Sequence, residues 1–229
     1  VTDSEEGLIL VNVNTLADGL PRNNFLKRSL TWNENNVLDG ARHITIAGHI
    51  VYITTPDALV VLDLNDPLSP QLLNRIKMND PRASALQFRY LLVTDKDGVK
   101  IFDATSPNNI KSSPVAAVPL NDARKVYIAR TYAYVAAGKE GLAIIDVKNP
   151  EKPLINQIFT ADGKINDAQD VIVGSTNASL FAYVADGRNG LKVIQLTAPD
   201  TQPRYYGFSP EPKPQLIAWW KTEYPALSL

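Results

Sequence analysis

One short pattern of residues recurs five times along this chain, and the repetition constrains the fold more than any other feature. Each copy contains an apolar run that begins with glycine or alanine, and the runs start at residues 7, 58, 98, 141 and 190. The steps between them are therefore 51, 40, 43 and 49 residues. Self-similarity at such a period is typical of solenoids, propellers and other repeat architectures. The fold is therefore expected to use one structural unit several times.

The fourth copy shows most clearly what one unit contains. Residues 122–128 alternate in polarity, and residues 132–137 are rich in aromatic and β-branched side chains, so both segments are predicted to be strands. A glycine-bearing hairpin leads to a nearly all-apolar strand at 142–147, which should be covered on both faces. A proline-bearing turn then precedes a fourth strand at 154–159, because proline cannot donate a ladder hydrogen bond.

Four strands in about 40 residues match the blade of a β-propeller. A single blade exposes two apolar faces, and only packing between neighbouring blades covers them. The sequence therefore predicts an all-β fold, a β-propeller of four-stranded blades, with about five repeats of which the first and last are incomplete. The predicted blades lie near 1–39, 40–79, 80–120, 121–165 and 166–207, and a Pro/Trp-rich C-terminal strap follows at 208–229.

The two ends of the chain leave the completeness of the propeller open. Val1 matches the end of the second strand of the unit, so the chain is expected to be a piece of a longer one, or only its ordered part. Five blades close into a ring if the C-terminal segment supplies the missing inner strands. The alternative is an open arc that another part of the polypeptide, or a partner, completes.

The same residues resemble the LVIVD repeat. In the fourth copy, Tyr134-Val135-Ala136 precedes the run Gly141–Val147 and the turn Asn149–Pro153. In the fifth copy, Tyr183–Gly187 precedes Gly190–Ile194 in the same order. The resemblance covers roughly residues 1–207.

This resemblance implies a propeller-like fold and a secreted or cell-surface protein of bacteria or archaea, often one domain of a larger chain. It carries over no catalytic residues. The chain departs from the repeat at Ala58, where glycine is expected, and at Gln195, where aspartate is expected. A long insert from Thr15 to Asp39 also departs from it, so the first blade is the least defined.

The composition excludes several kinds of partner and cofactor. The 23 basic and 24 acidic residues nearly balance, so there is no basic excess to attract nucleic acid. Cysteine is absent, which excludes disulfides, zinc–thiolate sites and iron–sulfur ligation. No apolar stretch approaches the length of a membrane span. We therefore expect no cofactor, no nucleic acid and no direct membrane span.

A small polar signature opens each predicted blade. The opening strand of a blade is innermost, so these side chains are predicted to ring one mouth of the central channel. The candidate ligand contacts are Arg42, Asp80, Arg82, Asp122, Arg124, Asp167 and Gln169. Alternating carboxylates and guanidiniums would suit an anionic ligand. A structural role is favoured, however, because aspartate caps turns and arginine can bridge adjacent blades.

Catalytic and metal-binding patterns are absent from the sequence. The only histidines, His43 and His49, lie outside any recognisable motif, and no phosphate-binding loop is present. Several hairpin tips carry carboxylates, but Lys96 and Arg188 lie within two of them and would repel calcium. We therefore expect that the chain is not an enzyme and that it contains no catalytic and no metal-binding residues.

The tail is the most unusual segment of the chain. Residues 208–214 carry three prolines and favour an extended polyproline conformation. Trp219, Trp220 and Tyr224 follow as a candidate partner anchor, since aromatic residues dominate binding hot spots. An intramolecular strap that folds back on the propeller is the slightly favoured alternative.

The sequence therefore predicts a non-catalytic propeller module that mediates protein–protein contact or scaffolding. Its partner would be a protein or the remaining part of a longer polypeptide, and its location extracellular, at the cell surface or periplasmic. The alternative is a ligand- or carbohydrate-binding propeller that uses the Asp/Arg residues at the channel mouth. A hydrolase or lyase is less favoured.

Overall fold

The computed structural model describes residues 1–13, 19, 26–176, 179–202 and 208–229. These residues form 19 strands in five antiparallel sheets. Within the described ranges, no helix is both long enough and apolar enough to cross a membrane. The chain divides into two compact units, one of residues 1–84 with 104–112 and the other of residues 85–103 with 113–229.

Each sheet is a meander of strands that follow one another in the chain. The first sheet has three strands, β1 (Thr2–Asp3), β2 (Gly7–Asn12) and β3 (Lys27–Trp32). The second comprises β4 (His43–Ala47), β5 (Ile50–Thr54), β6 (Ala58–Asp63) and β7 (Gln71–Lys77). The third comprises β8 (Ala83–Gln87), β9 (Tyr90–Asp95), β10 (Gly98–Asp103) and β11 (Ala116–Pro119). The fourth comprises β12 (Lys125–Ala129), β13 (Tyr132–Ala136), β14 (Leu142–Asp146) and β15 (Leu154–Phe159). The fifth comprises β16 (Asp170–Thr176), β17 (Ser179–Ala185), β18 (Leu191–Thr197) and β19 (Gln215–Trp220).

The first two sheets share one apolar core in the first unit. Leu8 and Trp32 of the first sheet pack in the same buried cluster as Val51, Ile53 and Val60 of the second. Trp32 belongs to β3. This strand lies within the predicted insert from Thr15 to Asp39 and pairs with β2. The insert therefore contains the outer strand of the first sheet, and its residues 14–18 and 20–25 lie outside the described residues.

The third, fourth and fifth sheets share two apolar cores in the second unit. Side chains alternate along β13 and β14, so Tyr134 and Ile144 pack with the fifth sheet and Val135 and Ile145 pack with the third. All four side chains are fully buried. This two-sided burial explains why the third strand of the repeat is almost entirely apolar.

The predicted strap consists of two parts. Residues 208–214 lie against the fourth sheet, where the Thr131 N–H donates to Ser209 Oγ at 3.3 Å and Gln157 Nε2 donates to the Pro212 carbonyl at 3.0 Å. Gln215–Trp220 then forms β19 and pairs with β18. The fifth sheet therefore extends beyond residue 207, because the segment between β18 and β19 delays its fourth strand.

Candidate functional site

The predicted ligand contacts at the blade openings are all engaged in hydrogen bonds with one another. In the first unit, Arg42 contacts one carboxylate oxygen of Asp80, and Arg82 Nε donates to the other at 3.1 Å. Burial alone would raise the pKa of Asp80, but the hydrogen bonds from Arg42 and Arg82 outweigh it, so the pKa lies below its usual value. The aspartate is therefore held in its ionised form.

The second unit repeats this arrangement. Arg124 Nε donates to Asp122 Oδ2 at 2.9 Å, and its Nη1 donates to Asp167 Oδ1 at 3.0 Å. Gln169 Nε2 donates to the same oxygen of Asp167 at 2.8 Å. Arg124 thus joins the opening of the fourth sheet to the opening of the fifth.

An open cavity of about 570 Å³ lies beside Arg124. It is lined by Asn121, Asp122, Arg124, Lys139, Glu140, Asn166 and Asp167. Three carboxylates therefore surround two cations, and the guanidinium already bonds to two of those carboxylates. An anion entering this cavity would have to displace these bonds, so the geometry supports the structural interpretation of these residues.

We expect Arg124→Gln to lower the free energy of unfolding by about 1 kcal/mol, because glutamine, as at Gln169, reaches one carboxylate but not two. The loss should shrink in about 1 M salt, where the Coulomb contribution is screened. Urea unfolding at two salt concentrations measures both. Lys139→Gln removes the same charge from the same cavity and should change stability by less than about 0.5 kcal/mol. Equal losses for the two variants would contradict a bridging role for Arg124.

Each of the two histidines has a local partner. His43 Nδ1 accepts the N–H of Ser84 at 3.2 Å, and His49 Nε2 lies 4.0 Å from Asp63. Among the residues that the structure describes, no three His, Cys, Asp or Glu side chains are grouped as metal ligands.

Two sheets contain an ion pair between a lysine and a buried aspartate that sequence reasoning missed. In the third sheet, Lys100 of β10 forms an ion pair with Asp95, whose side chain is fully buried. In the fifth sheet, Lys192 of β18 lies 3.8 Å from Asp186, and both side chains are buried. The pattern was visible in the repeats, since each lysine is the third residue of its apolar run.

One face of the fifth sheet is incompletely covered, and we call it the outward face. The cross-strand partners on this face are Ile172, Tyr183, Leu191, Val193, Ala218 and Trp220. Tyr183, Leu191 and Val193 are half-buried, and Trp220 is 72% exposed. The equivalent residues of the fourth sheet, Tyr134, Leu142 and Ile144, are fully buried against the fifth. The outward face therefore has the apolar character of a face that packs on another sheet.

The three residues of the predicted partner anchor lie on different surfaces. Trp220 lies opposite Leu191 on the outward face, whereas Trp219 lies opposite Lys192 on the face toward the fourth sheet. Tyr224 is 74% exposed and lies beyond β19. The predicted anchor is therefore not one cluster. It lies along the edge of the fifth sheet, where Trp219 and Trp220 are on opposite faces.

The end of the chain takes the position of a blade opening. Ala168, just before β16, forms an isolated antiparallel β-bridge with Gly138 in the hairpin of the fourth sheet. Ala226 forms the same bridge with Gly187 in the hairpin of the fifth sheet. The segment around Ala226 therefore occupies the place where a further sheet would begin.

The comparisons with known sequences single out one family. Residues 40–77, 121–160 and 166–199 match the LVIVD repeat. These stretches contain all four strands of the second and fourth sheets and strands β16, β17 and β18 of the fifth. No protein of curated function matches the chain in sequence.

Several solved structures are similar to this chain at low sequence identity. The N-terminal domain of Nup159 has a TM-score of 0.55 at 10% identity, over 86% of this chain and 54% of that one. Hsv2 of Kluyveromyces lactis gives 0.48 at 12%, over 74% and 51%. A chain from the nidogen/laminin complex gives 0.45 at 12%, over 78% and 84%. The chain thus spans about half the length of the Nup159 and Hsv2 structures. Three stretches of the chain are thus similar to the LVIVD repeat, and together with the repeats and the four-stranded sheets the Nup159 similarity identifies the fold as a β-propeller.

Proposed function

We propose that this chain is a non-catalytic module that binds a protein partner through the outward face of its fifth sheet. The observation that carries the proposal is the contrast between Tyr134 and Ile144, which are fully buried, and their equivalents Tyr183 and Val193, which are not. A repeat sheet is stable when both of its apolar faces are covered. Binding a partner would cover the second face of the fifth sheet.

The chemistry of the partner follows from the surface that already covers the fourth sheet. The fifth sheet presents Ala182, Val184, Ile194 and Leu196 to the fourth. A partner for the outward face would likewise offer small and branched apolar side chains from a flat sheet. Trp220 supports this role, because tryptophan is enriched among binding hot spots.

This function places the module within a larger assembly. The resemblance to secreted repeat proteins favours an extracellular, cell-surface or periplasmic location, which cell fractionation of the source organism would test. Recovery of the protein only in the cytoplasm would contradict that location without affecting the binding surface.

We expect a photo-crosslinking residue at position 220 to capture a partner that the same residue at position 88 does not. Phe88 is a matched control, because it is 94% exposed and lies in the turn between β8 and β9. The captured protein is then purified and its affinity measured. Trp220→Ala should weaken binding about 30-fold, the loss of about 2 kcal/mol expected for a hot-spot tryptophan. Equal capture at positions 220 and 88, or an unchanged affinity for Trp220→Ala, would contradict the proposal.

A further inference from the structure

The strand β19 offers a free edge to a partner. It is the outermost strand of the fifth sheet, with β18 as its one strand neighbour among the described residues. None of its six residues is buried, and none is charged or proline. Native proteins usually protect an edge strand with charges, prolines or a covering segment. An edge without these devices is suited to pair with another strand.

A group of lysines lies beside this edge. A cavity of about 380 Å³ is lined by Gly163, Lys164, Asn166, Asn189, Lys192, Trp219 and Lys221, and we call it the lysine pocket. Lys164 Nζ lies 5.5 Å from the centroid of a Trp219 ring. Lys192 is the cross-strand partner of Trp219, and Lys221 follows β19 directly.

Among the described residues, only one of the three lysines lies near a carboxylate that neutralises its charge. Lys192 is buried near Asp186, and its Nζ donates to the Asn189 carbonyl at 2.7 Å. Burial raises the pKa of Asp186, and the N–H groups of Asp167 and Asn166 oppose that shift by donating to its carboxylate. Lys164 and Lys221 form no ion pair with any described carboxylate. The pocket therefore carries an excess of positive charge.

The segment around β19 contains acidic residues as well as lysines. Residues 211–223 contain Lys213 and Lys221 together with Glu211 and Glu223. The six residues of β19 are uncharged, with Ile217 and Trp219 about half exposed or more, and the positive charge beside the edge comes from the lysine pocket. A strand that pairs with it would gain from apolar side chains beside Ala218 and Trp220 on the outward face and from carboxylates facing the lysines.

We propose that the edge of β19 binds an extended acidic segment of a partner protein, which adds a fifth strand and places a carboxylate in the lysine pocket. The inference rests on the proposed function and specifies the chemistry of the partner. Main-chain hydrogen bonds along the edge supply affinity, and the pocket reads alternate side chains of the added strand. Trp219 lies between the edge and the pocket, so the segment would cover its exposed ring.

A synthetic peptide of about eight residues, alternating valine and glutamate, is the probe for the full chain. We expect micromolar binding at about 50 mM salt that weakens at least about tenfold at 0.5 M. Amide hydrogen exchange in Gln215–Trp220 should slow when the peptide binds. Lys164→Glu combined with Lys221→Glu should weaken binding by at least about tenfold. Lys111→Glu combined with Lys152→Glu, at two exposed lysines distant in sequence from β19, is the matched control and should change it less than about twofold.

Two control peptides separate strand addition from general attraction to positive charge. A probe with N-methyl groups on alternate residues keeps the charge but cannot pair, and it should not bind. A probe with lysine in place of glutamate should not bind either. Full binding of the N-methylated probe, or no binding of the acidic probe, would overturn the inference.

An anionic polysaccharide, a different class of ligand, would give a different set of results. Dextran sulfate could bind while the peptide does not, with lower affinity for the Lys164→Glu, Lys221→Glu variant and with unchanged hydrogen exchange in β19. The pocket would then be a site for anionic polysaccharide, and the inference would be wrong. Specific capture at position 220 that persists when the acidic probe fails would overturn this inference alone. The proposed function would then stand.

Discussion

Lys100→Met should lower the free energy of unfolding by about 3 kcal/mol, because it leaves the carboxylate of Asp95 buried without its cation. The side chain of Asp95 is fully buried, and its Oδ1 accepts the N–H of Asp97 at 2.9 Å while Oδ2 contacts the lysine. Urea unfolding followed by circular dichroism at about pH 7 measures the loss.

The other sheets of the chain provide the control for this prediction. At the positions of Asp95 and Lys100, the second sheet carries Thr55 and Val60. Thr55 Oγ1 donates to the Ala58 carbonyl at 3.2 Å, so its hydroxyl is satisfied within the hairpin. The double variant Asp95→Thr, Lys100→Val copies this pair. It should lie within about 1.5 kcal/mol of the parent chain, because apolar replacement of a whole buried ion pair is often neutral.

Two results would contradict this account of the pair. One is a cost below about 1 kcal/mol for Lys100→Met, which would mean that the carboxylate gains water or another donor. The other is a double variant less stable than Lys100→Met, which would mean that the charges stabilise the hairpin in a way that threonine and valine cannot replace.

The central strands of the blades could be predicted from the sequence, whereas two outer strands could not. The strands β13 and β14 are buried on both faces, so packing dictates nearly every residue and the pattern is strong. The strands β3 and β19 pair on one side only and follow long intervening segments, so little in their sequence is constrained. Gln215–Trp220 does not directly follow the proline-bearing turn at 198–203, and its composition therefore suggested a strap.

The candidate site divides in the same way. The types and positions of the polar residues at the blade openings were evident from the repeats, but the sharing of Arg124 between Asp122 and Asp167 depends on how two sheets meet. The lysine pocket was not predicted. Lys164, Lys192 and Lys221 lie on three separate segments, and no local pattern connects them. Their proximity follows from the pairing of β19 with β18, which was the least evident strand pairing in the chain.

Gly190→Ala should lower the free energy of unfolding by about 3 kcal/mol and detach β19 from the fifth sheet. Gly190 has a φ of +80°, a region that strains residues with a side chain. An added Cβ would also collide with the carbonyl oxygen of Trp220 and lie 2.8 Å from Lys221 Cα. The collision falls on the end of β19, so hydrogen exchange should speed up in Gln215–Trp220 before it does in β13 or β14.

Gly48→Ala separates the cost of backbone strain from the cost of the collision with β19. Gly48 has a similar positive φ of +63°, but no atom lies within 4 Å of an added Cβ. It should therefore cost only the backbone strain, about 1 kcal/mol. The remaining loss in Gly190→Ala is then the collision with β19, and the acidic peptide should lose its site in that variant but not in Gly48→Ala. Equal costs for the two variants, with unchanged exchange in β19, would show that the hairpin shifts to accept the methyl group and that the pairing of β19 does not depend on glycine at this position.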